Sequence, residues 1–374
     1  MHVGLLAPPW IPVPPPAYGG IEQVVALLAR GLAEAGHDVT LVAAPGSRVD
    51  GVRVLSPLDR LPEQIGLSPD EHLHVLAAVE ELAACDVIVD HSGPLGALLT
   101  AKMDSQALHV VHGPLGGAAT AAYAAMARSA PGLGLVAISH AQRSAAPELP
   151  FVGVCHNGLD LAEAPFSERL GDYLVFLGRM SADKGAAQAI EVARRAGLPL
   201  MIAAKCRDPA ERDYFERHVG PNIGSDVSWL GEIGGQEKYE LLAAARALVF
   251  PIAWEEPFGM VMIESMACGT PVLAIPRGSV PEIVADGVTG YICRDVDQLA
   301  SAVARLNAID RAACREHVAR RFSVEGMTRA YEVVMTRAAG RRDPVARRSN
   351  PAGPKHPVGP RSLAGSAYAA KTGA

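Results

Sequence analysis

The feature that most narrows the fold is an alternation, met twice along the 374 residues, of short apolar runs with longer stretches of helical spacing. Residues 3–7 form the first run, closed by Pro8-Pro9, and fit a strand buried on both faces of a parallel sheet. A proline-dense loop follows and ends in Ala17-Tyr18-Gly19-Gly20. Ile21, Val24, Val25, Leu28 and Leu32 then keep helical spacing until Gly36-His37, and residues 39–44 read as the next strand. Further strands are expected at 86–90, 108–111 and 135–139. After the turn signal His156-Asn157-Gly158-Leu159-Asp160 the pattern resumes, with strands at 173–177, 200–203, 227–230, 247–251 and 272–275. Such alternation gives doubly wound α/β domains, in which ligands gather at the carboxyl ends of the strands.

Length agrees with two domains, because single cores stop growing at about 250 to 300 residues. Apolar residues make up 49% and charged residues 20%, the balance of a soluble globular chain. No stretch approaches the roughly 20 apolar residues of a membrane span, and the start of the chain reads as a strand, which predicts a cytoplasmic protein. The six cysteines are scattered singly, with no spacing for zinc or a redox pair, and are expected to be reduced and packed as small hydrophobes. Residues 1–157 carry seven basic and fourteen acidic side chains, a poor surface for nucleic acid or anionic lipid. From residue 340 the sequence turns to Arg, Pro, Ser, Gly and Ala, which predicts a disordered basic tail over 340–374.

The chemistry concentrates in the second half. Within residues 255–274 a loop carries Glu256, a helix opens at Phe258-Gly259-Met260, and Glu264 lies on its first turns. Free amides at such a helix start attract an anion, and the two carboxylates can accept hydrogen bonds from vicinal hydroxyls, so together they suit a nucleotide sugar. Arg179 and Lys184, in a loop closed by Gly185, are the cations best placed to stabilise a departing diphosphate. In the first half, Gly19-Gly20 lets backbone approach a ligand at a helix start, and no G-x-G-x-x-G points to a dinucleotide. His91 and His112 each follow a strand directly. Asp295-Val296-Asp297 precedes a helix and reads as its cap rather than a metal site.

Glu256-Pro-Phe-Gly, Glu264-Ser-Met-Ala-Cys-Gly-Thr-Pro, the Gly178-Arg179 to Lys184-Gly185 loop and the segment from Gly278 to Gly290 together resemble the retaining glycosyltransferases of family 4. The resemblance covers residues 1–338. It implies the GT-B fold: two Rossmann-like, doubly wound parallel-sheet domains facing across a cleft. The expected parts are an acceptor-binding domain at 1–157, a nucleotide-sugar-binding domain at 158–322, and a helix at 323–339 crossing back to the first domain.

The resemblance also implies roles. Arg179 and Lys184 would hold the pyrophosphate, Glu256 the transferred sugar, Glu264 the ribose, and His112 the sugar from the opposite domain. Gly19 and Gly20 would face the donor phosphates with the Phe258, Gly259 and Met260 amides. His91, Ser139 and Asn157 are candidates on the acceptor side. No cofactor and no metal are expected. The co-substrates would be a nucleoside-diphosphate sugar and a hydroxyl acceptor, a small natural product or a saccharide. Pro-Pro-Ala-Tyr-Gly-Gly-Ile-Glu and Asp-His-Ser-Gly look like a subgroup that includes a glycosyltransferase of avilamycin biosynthesis, which leaves sugar and acceptor open. A nucleotide-sugar epimerase of the same fold, a transferase acting on lipid or polysaccharide, and a non-catalytic sugar-binding scaffold are the alternatives.

Overall fold

A computed structural model describes residues 1–339 apart from 63–68, 104–105 and 131. The expected 340–374 tail lies outside the described residues. Thirteen strands fall into two sheets, parallel throughout. The first holds β1 (His2–Leu6), β2 (Asp38–Val42), β3 (Arg53–Leu55), β4 (Val87–Asp90), β5 (Gln106–Val111), β6 (Gly134–Ala137) and β7 (Phe151–Val154), in the order β3-β2-β1-β4-β5-β6-β7. The second holds β8 (Leu174–Arg179), β9 (Leu200–Lys205), β10 (Val227–Gly231), β11 (Ala247–Phe250), β12 (Val272–Ala274) and β13 (Gly290–Ile292), in the order β10-β9-β8-β11-β12-β13. Each sheet therefore reverses its winding once, between β1 and β4 and between β8 and β11, and such switch points open a crevice at the carboxyl edge.

The central strands are largely apolar because helices cover both faces, with His2 opening β1 and Asp90 closing β4: β1, β4 and β11 bury nearly every residue. The helix Gly20–Glu34 packs against the first sheet with Val24, Val25, Leu28 and Leu32 at or near zero exposure. The last helix, Val324–Ala339, returns to the first sheet and places Met327, Tyr331, Val334 and Met335 in the same core. It meets the helix Gly20–Glu34 at Gly31, where a Cβ would come within 2.2 Å of Thr328 Oγ1. A side chain at position 31 would prise the two helices apart. Within the second half Leu159 N donates to Phe322 O at 2.8 Å, and between the halves Arg30 pairs with Asp160 at 2.5 Å.

None of the six cysteines forms a disulfide; five are buried and Cys206 is half-buried. Asp295 caps the helix Val296–Ala302, its carboxylate accepting from Gln298 N at 2.8 Å. Among the described residues no helix is long and apolar enough to cross a membrane.

Candidate active site

The second sheet delivers a cluster of charge at its switch point. Arg179 ends β8 and Lys184 stands five residues later, in the turn before the helix Ala186–Ala196. Their loop must turn tightly: Gly185 sits at φ +85°, and a Cβ there would meet Pro251 O at 2.5 Å. The chain leaving β11 brings Trp254 and Glu256 back over that turn. Lys184 Nζ donates to Glu256 Oε2 at 2.6 Å, and Trp254 Nε1 donates to the same oxygen at 2.9 Å. Lys184 also lies 4.2 Å from the centre of the Trp254 ring, with the Arg179 guanidinium 5.9 Å from it. The indole thus carries two cations on its face and orients a carboxylate with its edge. Arg179 is the freer cation: half-exposed, it holds only Asp183, at 3.2 Å.

Next to this cluster the helix Met260–Ala267 begins at Gly259, whose φ of +80° is costly for any side chain. No side chain caps it, and the Gly259, Met260 and Val261 amides find no acceptor among the described residues. The turn is braced from behind, where Ser279 Oγ donates to Phe258 O at 2.8 Å and Ser279 N to Glu256 O at 2.9 Å. Gly278 makes this brace possible, since a Cβ there would strike the Glu256 carbonyl at 2.2 Å. Glu264, one turn along and 6% exposed, has one oxygen held by Lys238 Nζ at 2.7 Å. Both carboxylates are therefore matched with a lysine before any ligand arrives.

From the first half, the proline loop reaches across. Tyr18 N donates to Glu232 at 3.1 Å, and Gly234 packs so closely on Ala17 that a Cβ would lie 2.5 Å from its Cα. Gly19 is pressed against Pro15 and the Glu22 carboxylate, whereas Gly20 borders open space. Glu22 is buried beside this turn, and burial pushes its carboxyl up to about 7. The folded protein then holds the Glu22 proton more tightly than the unfolded chain, whose carboxyl titrates near 4.3, so stability falls as pH rises from about 4 to about 7. Glu22→Gln should accordingly gain about 3 kcal/mol at pH 8 and almost nothing at pH 4, read by urea denaturation at the two pH values.

The histidines meet each other. His91 Nδ1 and His112 Nε2 are 2.9 Å apart and their rings stack with centroids at 5.1 Å. Burial pushes His91 well below the usual histidine range and His112 down to about 3, so both rings are neutral at neutral pH. The other acceptor-side candidates differ. Ser139 is fully buried, and its hydroxyl caps the helix His140–Ser144 by accepting from Gln142 N at 3.0 Å. Asn157 is buried with its Oδ1 unpartnered.

Several participants were not singled out from the sequence. Gln142 Nε2 donates to both Val111 O and Gly113 O at 2.8 Å, clamping the backbone on either side of His112. Glu282, from the helix Val280–Ile283, accepts from the His140 and Ala141 amides at 3.0 Å and bonds His156 Nε2 at 3.1 Å, so a carboxylate of the second half caps a helix of the first. His140, His156 and Glu282 are also the one group of three described residues whose donor atoms could surround a metal ion, within 4.8 Å of one another. Trp254 stood within reach of sequence reasoning, lying two residues before Glu256. Lys238 and Gln142 carry no local signal.

With this geometry in hand, comparison with known proteins is informative. Residues 18–163 match the family described as Glycosyltransferase Family 4, and residues 171–308 match Glycosyl transferases group 1. An alpha-maltose-1-phosphate synthase of Mycolicibacterium smegmatis is 30% identical over 168 residues, 42% of this chain and 43% of that protein. The match thus spans less than half the length of that curated relative. AviGT4, a glycosyltransferase involved in avilamycin A biosynthesis, superposes with a TM-score of 0.68 at 27% identity, covering 91% of this chain and 99% of its own. Anabaena HepE, crystallised with UDP-glucose, shares the fold with a TM-score of 0.69 at 18% identity, covering 90% and 100%. The chain belongs to the glycosyltransferases of the GT-B fold, with a family 4 region in its first half and a group 1 region in its second.

Proposed function

We propose that the protein is a retaining glycosyltransferase that moves a sugar from a nucleoside diphosphate to a hydroxyl acceptor and uses no resident metal. One observation carries the reading: Arg179, Lys184, Trp254 and Glu256 converge at the switch point of the second sheet, beside a helix start whose amides are open. Charge builds on the leaving phosphate as the sugar becomes oxocarbenium-like, so cations and aligned amides already in place stabilise that state most. Arg179 and Lys184 neutralise the phosphate, and the Gly259 and Met260 amides receive its oxygens.

Glu256, released in part from Lys184 once a phosphate shares that cation, accepts from the sugar hydroxyls, while Glu264 accepts from the ribose. In the transfer step the acceptor oxygen bonds the anomeric carbon on the face from which the phosphate departs. The anomeric C–O bond breaks with its electron pair leaving on the phosphate, and the acceptor proton passes to that phosphate. HepE's complex with UDP-glucose supports a nucleotide sugar as donor, and the acidic first half, a poor surface for anionic lipid, favours a small natural product or saccharide as acceptor. Six cysteines without a disulfide fit a reducing compartment such as the cytoplasm.

A thermal-shift panel of UDP-, GDP-, ADP- and dTDP-sugars tests this directly. One donor class at 100 times its dissociation constant should add about 2.7 kcal/mol of stability, and with acceptor it should release nucleoside diphosphate in the presence of chelator. Indifference to every donor would refute the reading. A change in the donor sugar without acceptor would identify an epimerase instead.

A further inference from the structure

The histidine pair contains an asymmetry that constrains its protons. Both backbones are held: His91 N donates to Leu6 O at 2.8 Å, and Gln142 grips the carbonyls on either side of His112. The rings must therefore meet, and at 2.9 Å one of the two facing nitrogens carries the hydrogen. If His112 Nε2 carried it, neutral His91 would hold its other proton on Nε2. That atom is buried and has no partner among the described residues. Burying an N–H without an acceptor is the rarer and costlier arrangement, whereas a bare ring nitrogen at that buried position leaves no imidazole donor stranded.

The consistent arrangement puts the hydrogen on His91 Nδ1. His112 Nε2 then accepts, so the His112 proton must reside on Nδ1. His112 is half-buried, and its Nδ1 makes no hydrogen bond among the described residues, which leaves that N–H free for a ligand. We infer that His91 is a positioning residue that locks His112 as the Nδ1–H tautomer, making His112 a neutral hydrogen-bond donor to a sugar hydroxyl rather than a base. This deepens, and rests on, the reading of the cleft as a glycosyl-transfer site.

Charge around the pair is sparse. His109 of β5 faces both rings, its own ring engaged at 2.6 Å by Asp90 and at 3.0 Å by the Tyr123 hydroxyl, and Tyr331 faces His91 from the last helix. Among the described residues no carboxylate bonds either ring of the pair, and burial keeps both neutral. A neutral donor suits a hydroxyl, since an imidazolium at this position would oppose the growing positive charge on the sugar.

The test reads the tautomers without any substrate. In protein labelled with ¹⁵N-histidine, long-range proton–nitrogen spectra at pH 7 should show two rings protonated at Nδ1 and bare at Nε2, assigned by their loss in His91→Asn and His112→Asn. An Nε2–H on either ring, or an imidazolium, would overturn the inference. The kinetic arm uses the donor found for the protein. His91→Leu should lower kcat about 10- to 100-fold with little change in donor KM. His91→Asn, whose amide can donate to Nε2, should recover part of kcat. Equal losses of kcat in both variants would also overturn it. If no donor is turned over at all, the proposed function fails while the spectra of the parent protein still decide the tautomer.

Discussion

Lys184→Met should unfold about 3 kcal/mol more easily than the parent, an effect large enough to read in a single denaturation curve. The reason lies in what remains. The Glu256 side chain is 8% exposed, and without the ammonium its carboxylate keeps only the Trp254 indole as a charge-stabilising donor. Methionine keeps a side chain of similar length and removes the ammonium that lies over the Trp254 ring, so the loss reports the charge and not a cavity. Removing the stranded charge as well, in Lys184→Met with Glu256→Gln, should restore most of the stability while leaving transfer abolished. A double variant no more stable than Lys184→Met would show that the pair is screened by solvent and that packing sets the cost.

Arg179→Ala should do the opposite, lowering kcat by 10²- to 10³-fold, about 3 to 4 kcal/mol, by analogy with the loss of one donor to a developing negative charge. Stability should change by no more than about 0.5 kcal/mol, because Arg179 is half-exposed and its pairing with Asp183 is the one-turn kind that contributes little. Steady-state kinetics alongside denaturation check both halves. The contrast between two cations on one ring is the useful result, since a scaffold protein would show neither rate effect.

Much of this was legible in the sequence, because it rests on local rules. Apolar runs between proline and glycine turns located the central strands to within two residues or so at their ends, as with 3–7 against His2–Leu6 and 200–203 against Leu200–Lys205. Three of the four edge strands escaped, β10 being the exception. β3 has three residues and begins with an exposed arginine, β7 contains Gly153, and β13 follows its turn at once, so none offers a run long enough to stand out. Arg179, Lys184 and Glu256 were singled out because phosphate and hydroxyl recognition calls for such side chains at such turns, and the structure brings the three together.

What the sequence could not supply is pairing over distance. Lys238 and Glu264, Gln142 and the loop of His112, and Glu282 and the helix His140–Ser144 are 26, 29 to 31 and 141 to 142 residues apart, and Lys238, Gln142 and Glu282 taken alone look like ordinary surface residues. Ser139 shows the converse. Its resemblance to a family turn suggested the acceptor side and its place before a helix suggested a cap with equal force, and the hydroxyl does cap the short helix.

The central claim is that a diphosphate is received where Arg179 and Lys184 meet the start of the helix Met260–Ala267. A crystal structure of the protein soaked with the nucleoside diphosphate that stabilises it most tests this. The account predicts terminal phosphate oxygens within hydrogen-bond distance of Arg179, Lys184 and the Gly259 or Met260 amide, with the ribose hydroxyls on Glu264. A diphosphate bound elsewhere, with Lys184 still closed on Glu256 and the amides facing only water, would contradict it.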